Sequence, residues 1–159
     1  GIKPDIVTLA KGLASGIPIG VMMTSLKDIF TFGDHGSTFG GNHLSTTVCK
    51  DVLKILEKYS NSGKLKQNIK YFNSCLQYFT DKYPNIFLQK NGWGFMQGLV
   101  LKNENDLSNI VNLALKNGVL VLKSGKNIIR FLPPIIISKK EIKEGFKRFE
   151  EIIINYHKI

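Results

Sequence analysis

Apolar and small residues alternate from Asp5 to Ala10, the period of a short buried strand, and the glycine- and proline-bearing stretch Gly16-Ile17-Pro18-Ile19-Gly20 places a turn after it. Val21 to Thr24 reads as a second strand. Ser25 stands where it could cap a short helical piece from Leu26 to Phe32, and Gly33 to Gly41 carries too many small residues for regular structure. Asn42 is a plausible N-cap for a helix from His43 to Tyr59, in which Leu44, Val48, Val52, Ile55 and Leu56 recur at helical spacing.

Ser60-Asn61-Ser62-Gly63 interrupts that pattern, and a domain boundary is placed there, with residues 1–62 on one side and 63–159 on the other. A second helix follows, with Leu65, Ile69, Phe72, Leu76 and Phe79 on one face and an end near Tyr83-Pro84. Strands are expected at Ile86 to Gln89, Phe95 to Leu101, Val119 to Leu122 and Ile128 to Leu132, and a helix from Asp106 to Asn117 that stops at Gly118. Pro133-Pro134 ends the last strand. Ser138 followed three residues later by Glu141 is a capping-box signature, and Ile142, Phe146, Phe149 and Ile153 mark the core face of the terminal helix. The first third therefore reads as the tail of a larger α/β domain, and the rest as an α+β domain with helices over a mostly antiparallel sheet.

Composition changes this picture little. With 159 residues and 43% hydrophobic composition the chain can bury a real core. No apolar run reaches the roughly 18–20 residues of a membrane span, and the start at Gly1-Ile2-Lys3-Pro4-Asp5, with no methionine or leader, reads as a chain cut in mid-protein. A formal charge of +10 invites a nucleic-acid reading, but the 22 basic residues include only Arg130 and Arg148 as arginines, and the lysines are dispersed. Dispersed lysine reads as solvated surface; nucleic-acid binders cluster their charge. Cys49 and Cys75 lack metal-ligand or CxxC partners, which fits free thiols in a cytoplasmic protein, and His35, His43 and His157 form no metal pattern.

Candidate chemistry begins at Lys11. It ends an apolar strand between Ala10 and Gly12, small neighbours that leave room for a large group against the amine. An amine that is to attack a carbonyl needs an approachable nitrogen and a lowered pKa, which partial burial supplies; a solvated surface lysine is the plainer alternative. His35-Gly36-Ser37-Thr38-Phe39-Gly40-Gly41-Asn42 sets two short hydroxyls among glycines before a helix, a segment able to hold a phosphate or to be an ordinary loop. Arg130 lies inside the apolar run Asn127-Ile128-Ile129-Arg130-Phe131-Leu132-Pro133-Pro134. In a chain that uses lysine almost everywhere else, a planar five-donor fork suits bidentate carboxylate binding, though pairing with a structural acid or reaching solvent remain open. Arg148, in an amphipathic helix beside Lys147 and Glu150, reads as a solvated face residue.

Three of these segments resemble one family. Pro4-Asp5-Ile6-Val7-Thr8-Leu9-Ala10-Lys11-Gly12-Leu13, with Gly16-Ile17-Pro18-Ile19-Gly20 behind it, is similar to the cofactor-lysine segment of the class III pyridoxal-phosphate-dependent aminotransferases. His35 to Asn42 matches the family's HGSTFGGN, and Arg130 to Pro134 resembles its RFxPPL; Asn91-Gly92-Trp93-Gly94-Phe95-Met96-Gln97-Gly98 is similar to the glycine-rich entry to its small-domain sheet, where arginine is frequent in place of Asn91. His43 stands where the family has a helix-opening proline.

The resemblance implies the C-terminal part of an aspartate-aminotransferase-like, fold type I transferase: residues 1–62 as the end of the large cofactor-binding domain and 63–159 as the small α+β domain. It implies Lys11 as the residue that carries pyridoxal 5'-phosphate and moves a proton, Thr38 as a contact to the cofactor phosphate of the neighbouring subunit, and Ser37 at the substrate. Arg130 would bind the α-carboxylate of glutamate and 2-oxoglutarate, in a homodimer with shared active sites. Val119 to Leu122 taken with Arg130 to Pro134 is most similar to members that pass the terminal amine of N2-acetylornithine to 2-oxoglutarate in arginine biosynthesis, with ornithine, 4-aminobutyrate and succinyldiaminopimelate as alternative donors. The phosphate loop, ring-stacking aromatic and pyridine-nitrogen aspartate precede the lysine in the family. A non-catalytic basic module is the competing class.

Overall fold

The computed structural model describes residues 1–156, so His157 lies outside the described residues. It consists of two compact units, Gly1–Ser62 and Gly63–Ile159.

In the first unit β1 (Ile6–Leu9) pairs antiparallel with β2 (Val21–Thr24). Between them one turn of 3-10 helix, Lys11–Ala14, turns Leu13 and Ala14 inward onto Cys49 of α1 (His43–Asn61), and Ile17, Ile19, Val21 and Val48 complete this small apolar cluster. Asn42 caps α1 as its sequence position requires: its Oδ1 accepts from Ser45 N at 2.9 Å, satisfying one of the orphan N–H groups of the first turn.

Two expectations fail in this unit. Leu26 to Phe32 forms no helix, because Asp28 sits at φ 56 in the left-handed region and the Thr24 hydroxyl takes the Leu26 N–H at 3.0 Å, so Ser25 caps nothing. The inward seam of α1 also runs one residue further on than read: Ser45 and Cys49 are buried, with Val48, Val52 and Leu56 half-buried, while Leu44 and Ile55 are 65% and 63% exposed. The unit's core of three buried residues is too small to cover a wider helical stripe.

The second unit is a four-stranded antiparallel sheet in the order β3-β4-β6-β5, from β3 (Phe87–Trp93), β4 (Met96–Leu101), β5 (Leu122–Ser124) and β6 (Ile128–Phe131). Alternate residues Phe87, Leu99, Leu101, Ile129 and Phe131 face the apolar stripes of α2 (Lys64–Lys82), α3 (Asp106–Lys116) and α4 (Lys139–Tyr156). Phe79 is the hub of the core, within 5.3–6.1 Å of the rings of Phe87, Phe146 and Phe149, and is 1% exposed. Each such ring contributes roughly 1.5–3 kcal/mol on burial. Ile142, Phe146, Phe149 and Ile153 are all buried on α4, as the period of that helix predicts.

Strand limits differ from the reading by more than one residue at β3 and β5. β3 continues through Asn91-Gly92 to Trp93, because Gly92 at φ 102 keeps the ladder with Gln97 where a Cβ would collide with the Met96 carbonyl oxygen. The strand read from Val119 to Leu122 is displaced, since β5 begins at Leu122 and runs to Ser124: the Val119 N–H donates to Ala114 O at 2.8 Å and closes α3 past Gly118, at φ 73, leaving it no donor for a ladder. No helix of the described residues is long and apolar enough to cross a membrane.

Candidate active site

Lys11 follows β1 at φ 55, one of three described non-glycine residues in the left-handed region. Such a conformation costs an L-residue about 1–2 kcal/mol. A lysine held there is an outlier of the kind that clusters at functional sites. Ala10 before it is extended, and the 3-10 turn after it is closed by Leu13 N donating to Ala10 O at 3.2 Å. The backbone therefore lifts Lys11 out of the apolar cluster that Leu13 and Ala14 enter. The side chain is exposed in this unit, where the sequence reading expected partial burial.

Lys11 and Ser37 line one open concavity of about 670 Å³, whose other walls are Gly16 to Gly20 and Phe39 to Asn42. That volume lies in the range of ordinary small-molecule sites, roughly 300–1,000 Å³. Ser37 packs closely upon Gly40: a Cβ there would lie 2.8 Å from Ser37 Oγ and 2.9 Å from its Cβ, and the turn is closed by Gly40 N donating to Ser37 O at 3.4 Å. Asn42 joins the loop to the helix, its Nδ2 donating to Phe39 O at 2.9 Å while its Oδ1 caps α1. Thr38 lies in the same loop, exposed, its hydroxyl without a hydrogen-bond partner among the described residues, and it does not line the concavity.

Ser45, missed in the sequence, ties the wall together. Buried to 6% exposure, it donates from Oγ to Pro18 O at 3.0 Å and accepts from Asn42 Nδ2 at 3.0 Å, linking the start of α1 to the Gly16–Gly20 stretch. The only signal for it is its position three residues after an N-cap asparagine.

Arg130 belongs to the second unit. It is an interior residue of β6, paired with Gly98 of β4 on one side and Leu122 of β5 on the other, and points to the face opposite the helices. The residue is half-buried, yet its Nε is buried and has no hydrogen-bond partner. A desolvated donor left unpaired costs about 1–3 kcal/mol, which an incoming acceptor recovers. Structural pairing with an acid, the alternative left open by the sequence, is not what the fold shows: the three ion pairs of the described residues join Lys54 to Asp51, Lys82 to Glu150 and Arg148 to Glu144. Arg148 is thus a surface ion-pair residue, as expected. No group of three or more His, Cys, Asp or Glu able to hold a metal occurs among the described residues, and both cysteines are free.

Comparison with known proteins gives the family and the fold. Residues 1–153 match the family model for class III aminotransferases. The acetylornithine aminotransferase of Wolinella succinogenes is 47% identical over 153 residues, which are 96% of this chain and 39% of that relative. The crystal structure of acetylornithine aminotransferase from Elizabethkingia anophelis superposes with a TM-score of 0.84 at 26% identity, covering 97% of this chain and 42% of that one. That of N-acetylornithine aminotransferase from Stenotrophomonas maltophilia gives 0.79 at 28% identity, covering 98% and 41%. The chain thus spans about two fifths of the length of its relatives, and its mixed helix-and-sheet fold is that of their C-terminal part. A match running through nearly every described residue, including the segments that carry Lys11, Ser37, Thr38 and Arg130, places the chain in the class III aminotransferases.

Proposed function

We propose that the full-length protein is a pyridoxal-phosphate-dependent aminotransferase that moves the terminal amine of N2-acetylornithine to 2-oxoglutarate, with Lys11 as the cofactor-carrying residue. The observation that carries this reading is a lysine held in a left-handed conformation at the rim of a concavity it shares with Ser37. The donor set fits the cofactor: an approachable amine, a hydroxyl folded onto a glycine, and space for a ring of pyridine size.

Pyridoxal phosphate, when bound, supplies the electron sink that stabilises negative charge on the substrate carbon. The Lys11 amine would hold the cofactor and would carry the proton at that carbon, the task of a positioned general base. Arg130 offers a two-pronged donor surface to the α-carboxylate of glutamate or 2-oxoglutarate, which orients the carbon that loses or gains the amine. Ser37 contacts substrate at the concavity wall, and Thr38, whose hydroxyl is free, reaches the cofactor phosphate of a second subunit in a homodimer with shared sites. The donor assignment rests on the names of the relatives, among them the one at 47% identity. The two free thiols fit a cytoplasmic enzyme.

Borohydride reduction of the full-length holoenzyme, followed by peptide mapping, is expected to leave the pyridoxyl group on Lys11. A label on another lysine would overturn the assignment. Comparing N2-acetylornithine with ornithine, 4-aminobutyrate and succinyldiaminopimelate as donors tests the substrate, and a preference for any of the last three redirects it.

A further inference from the structure

We propose that Gly98 and Ile128 act together to seat Arg130, so that the space left by a missing Cβ on β4 sets the affinity of the site for its dicarboxylate; this rests on the reading of Arg130 as the carboxylate-binding residue.

Gly98 is not a glycine for the sake of its backbone, since its φ lies outside the left-handed region that Gly92 and Gly94 occupy. It stands inside β4 between buried Gln97 and Leu99, where glycine weakens a strand and marks a close approach. What approaches is β6. A Cβ built on Gly98 meets Ile128 Cγ2 at 2.5 Å, the Ile129 carbonyl oxygen at 3.0 Å and Arg130 Cα at 3.7 Å. Ile128 and Arg130 are two residues apart on β6, so they share the face opposite the helices, and Gly98 lies directly beneath Arg130 in the ladder.

The first contact is with the methyl of a β-branched side chain, whose χ1 is restricted and which swings aside less freely than a long chain end. The second is with backbone. Nor can β6 drift away, because its start is held twice: Leu101 N donates to Asn127 O at 2.7 Å and Asn127 Nδ2 donates to Leu101 O at 2.8 Å. A side chain at position 98 must therefore displace Ile128 or tilt β6 between Asn127 and Phe131. A tilt of β6 carries the guanidinium with the strand, and a displaced Ile128 opens the face that the guanidinium shares with it; the buried Nε has no partner to hold it in place. Bidentate recognition depends on the plane and direction of the fork, so a small tilt weakens carboxylate binding without touching the atoms that react.

The test is a double-mutant cycle on the full-length holoenzyme with Gly98→Ala, Ile128→Ala and the double variant, alongside Arg130→Lys. Each single variant is expected to raise KM for 2-oxoglutarate by about tenfold with kcat changed less than about threefold, and the double to resemble one single variant rather than their product, the sign of one shared contact. Effects that multiply, or an unchanged KM in either single variant, would overturn the proposal. If Gly98→Ala does not fold, Ile128→Ala alone decides, since an unchanged KM there removes the seat. Arg130→Lys separates the two levels of the argument. Should it leave KM for 2-oxoglutarate untouched, the carboxylate reading of Arg130 falls and takes this proposal with it; should it raise KM while the cycle shows nothing, only the Gly98–Ile128 seat is lost.

Discussion

Glu150 of α4 is bound to Lys82 of α2 through a 2.8 Å contact between Oε1 and Nζ, and the same oxygen accepts from the hydroxyls of Tyr78 and Tyr83 at 2.8 and 2.9 Å. Partial burial raises the Glu150 carboxyl pKa, but these donors outweigh it and hold the group below its usual value. Lys82 is shifted upward, first by its bond to Glu150 and then by Tyr78. The signs fix the pH window. Stabilisation from Glu150 is present above its unfolded pKa and fades as pH falls through the lower folded value; that from Lys82 is present below its unfolded pKa and fades as pH rises through the higher folded value. Glu150→Gln is therefore expected to cost roughly 1 kcal/mol at neutral pH and to make unfolding less sensitive to pH on the acid side. Urea melts of wild type and variant across that range check it, and parallel curves would show that the carboxylate adds nothing.

Ser138 and Glu141 form the reciprocal cap predicted for α4. Ser138 N donates to Glu141 Oε2 at 2.8 Å, and Glu141 N donates to Ser138 Oγ at 3.2 Å. The Glu141 carboxyl is pulled below its usual range by the Ser138 hydroxyl first and its backbone N–H second. Ser138→Ala should destabilise by about 1 kcal/mol, whereas Glu141→Gln, which still offers an oxygen to the Ser138 N–H, should cost much less. Thermal melts rank the two; equal losses would mean that charge and not the cap matters.

How much could be read in advance follows from where the information is local. The α2 and α4 stripes were legible because burial recurs at helical period over about four turns of α2 and three of α4, and the Ser138–Glu141 cap because four residues contain the whole interaction. Lys11, Ser37 and Arg130 stand out in the sequence as candidates because short motifs surround them. Leu26 to Phe32 was misread because nothing in its composition announces the left-handed Asp28, and Leu44 and Ile55 because period says which residues share a face, not how much partner surface covers it. Gly98 escaped for a different reason. Its purpose is visible only once Ile128, thirty positions on in the sequence, is brought across it by strand pairing.

Thr38 presents an exposed hydroxyl without a partner among the described residues, in a loop where the neighbouring Ser37 packs closely upon Gly40. If that hydroxyl reaches a phosphate in the assembled enzyme, Thr38→Ala should weaken cofactor retention by about 1.5–3 kcal/mol, the worth of one hydrogen bond to a charged group, and Thr38→Ser should restore most of it. Equilibrium dialysis of the full-length protein against pyridoxal phosphate measures the loss. Retention unchanged in Thr38→Ala would leave the loop without a role in holding the phosphate.

Lys11 carries a backbone strain that can be separated from its chemistry. At φ 55 an L-residue crowds its own Cβ against the following carbonyl, while glycine does not, so the two obvious replacements of the lysine should differ in stability although both lack the amine. Relief of the left-handed penalty favours Lys11→Gly by about 1–2 kcal/mol, and the greater freedom of glycine in the unfolded chain takes back roughly 0.5–1 kcal/mol, leaving it about 0–1.5 kcal/mol, centrally about 0.7 kcal/mol, more stable than Lys11→Ala. Both variants must be compared without cofactor, so that a lost bond to it cannot enter the balance. Urea unfolding of the two cofactor-free, full-length proteins reads the difference. If Lys11→Ala proves as stable as Lys11→Gly, residue 11 sits in an ordinary conformation, and the strain offered here as the mark of a working lysine is withdrawn, whatever the labelling experiment shows about where the cofactor is attached.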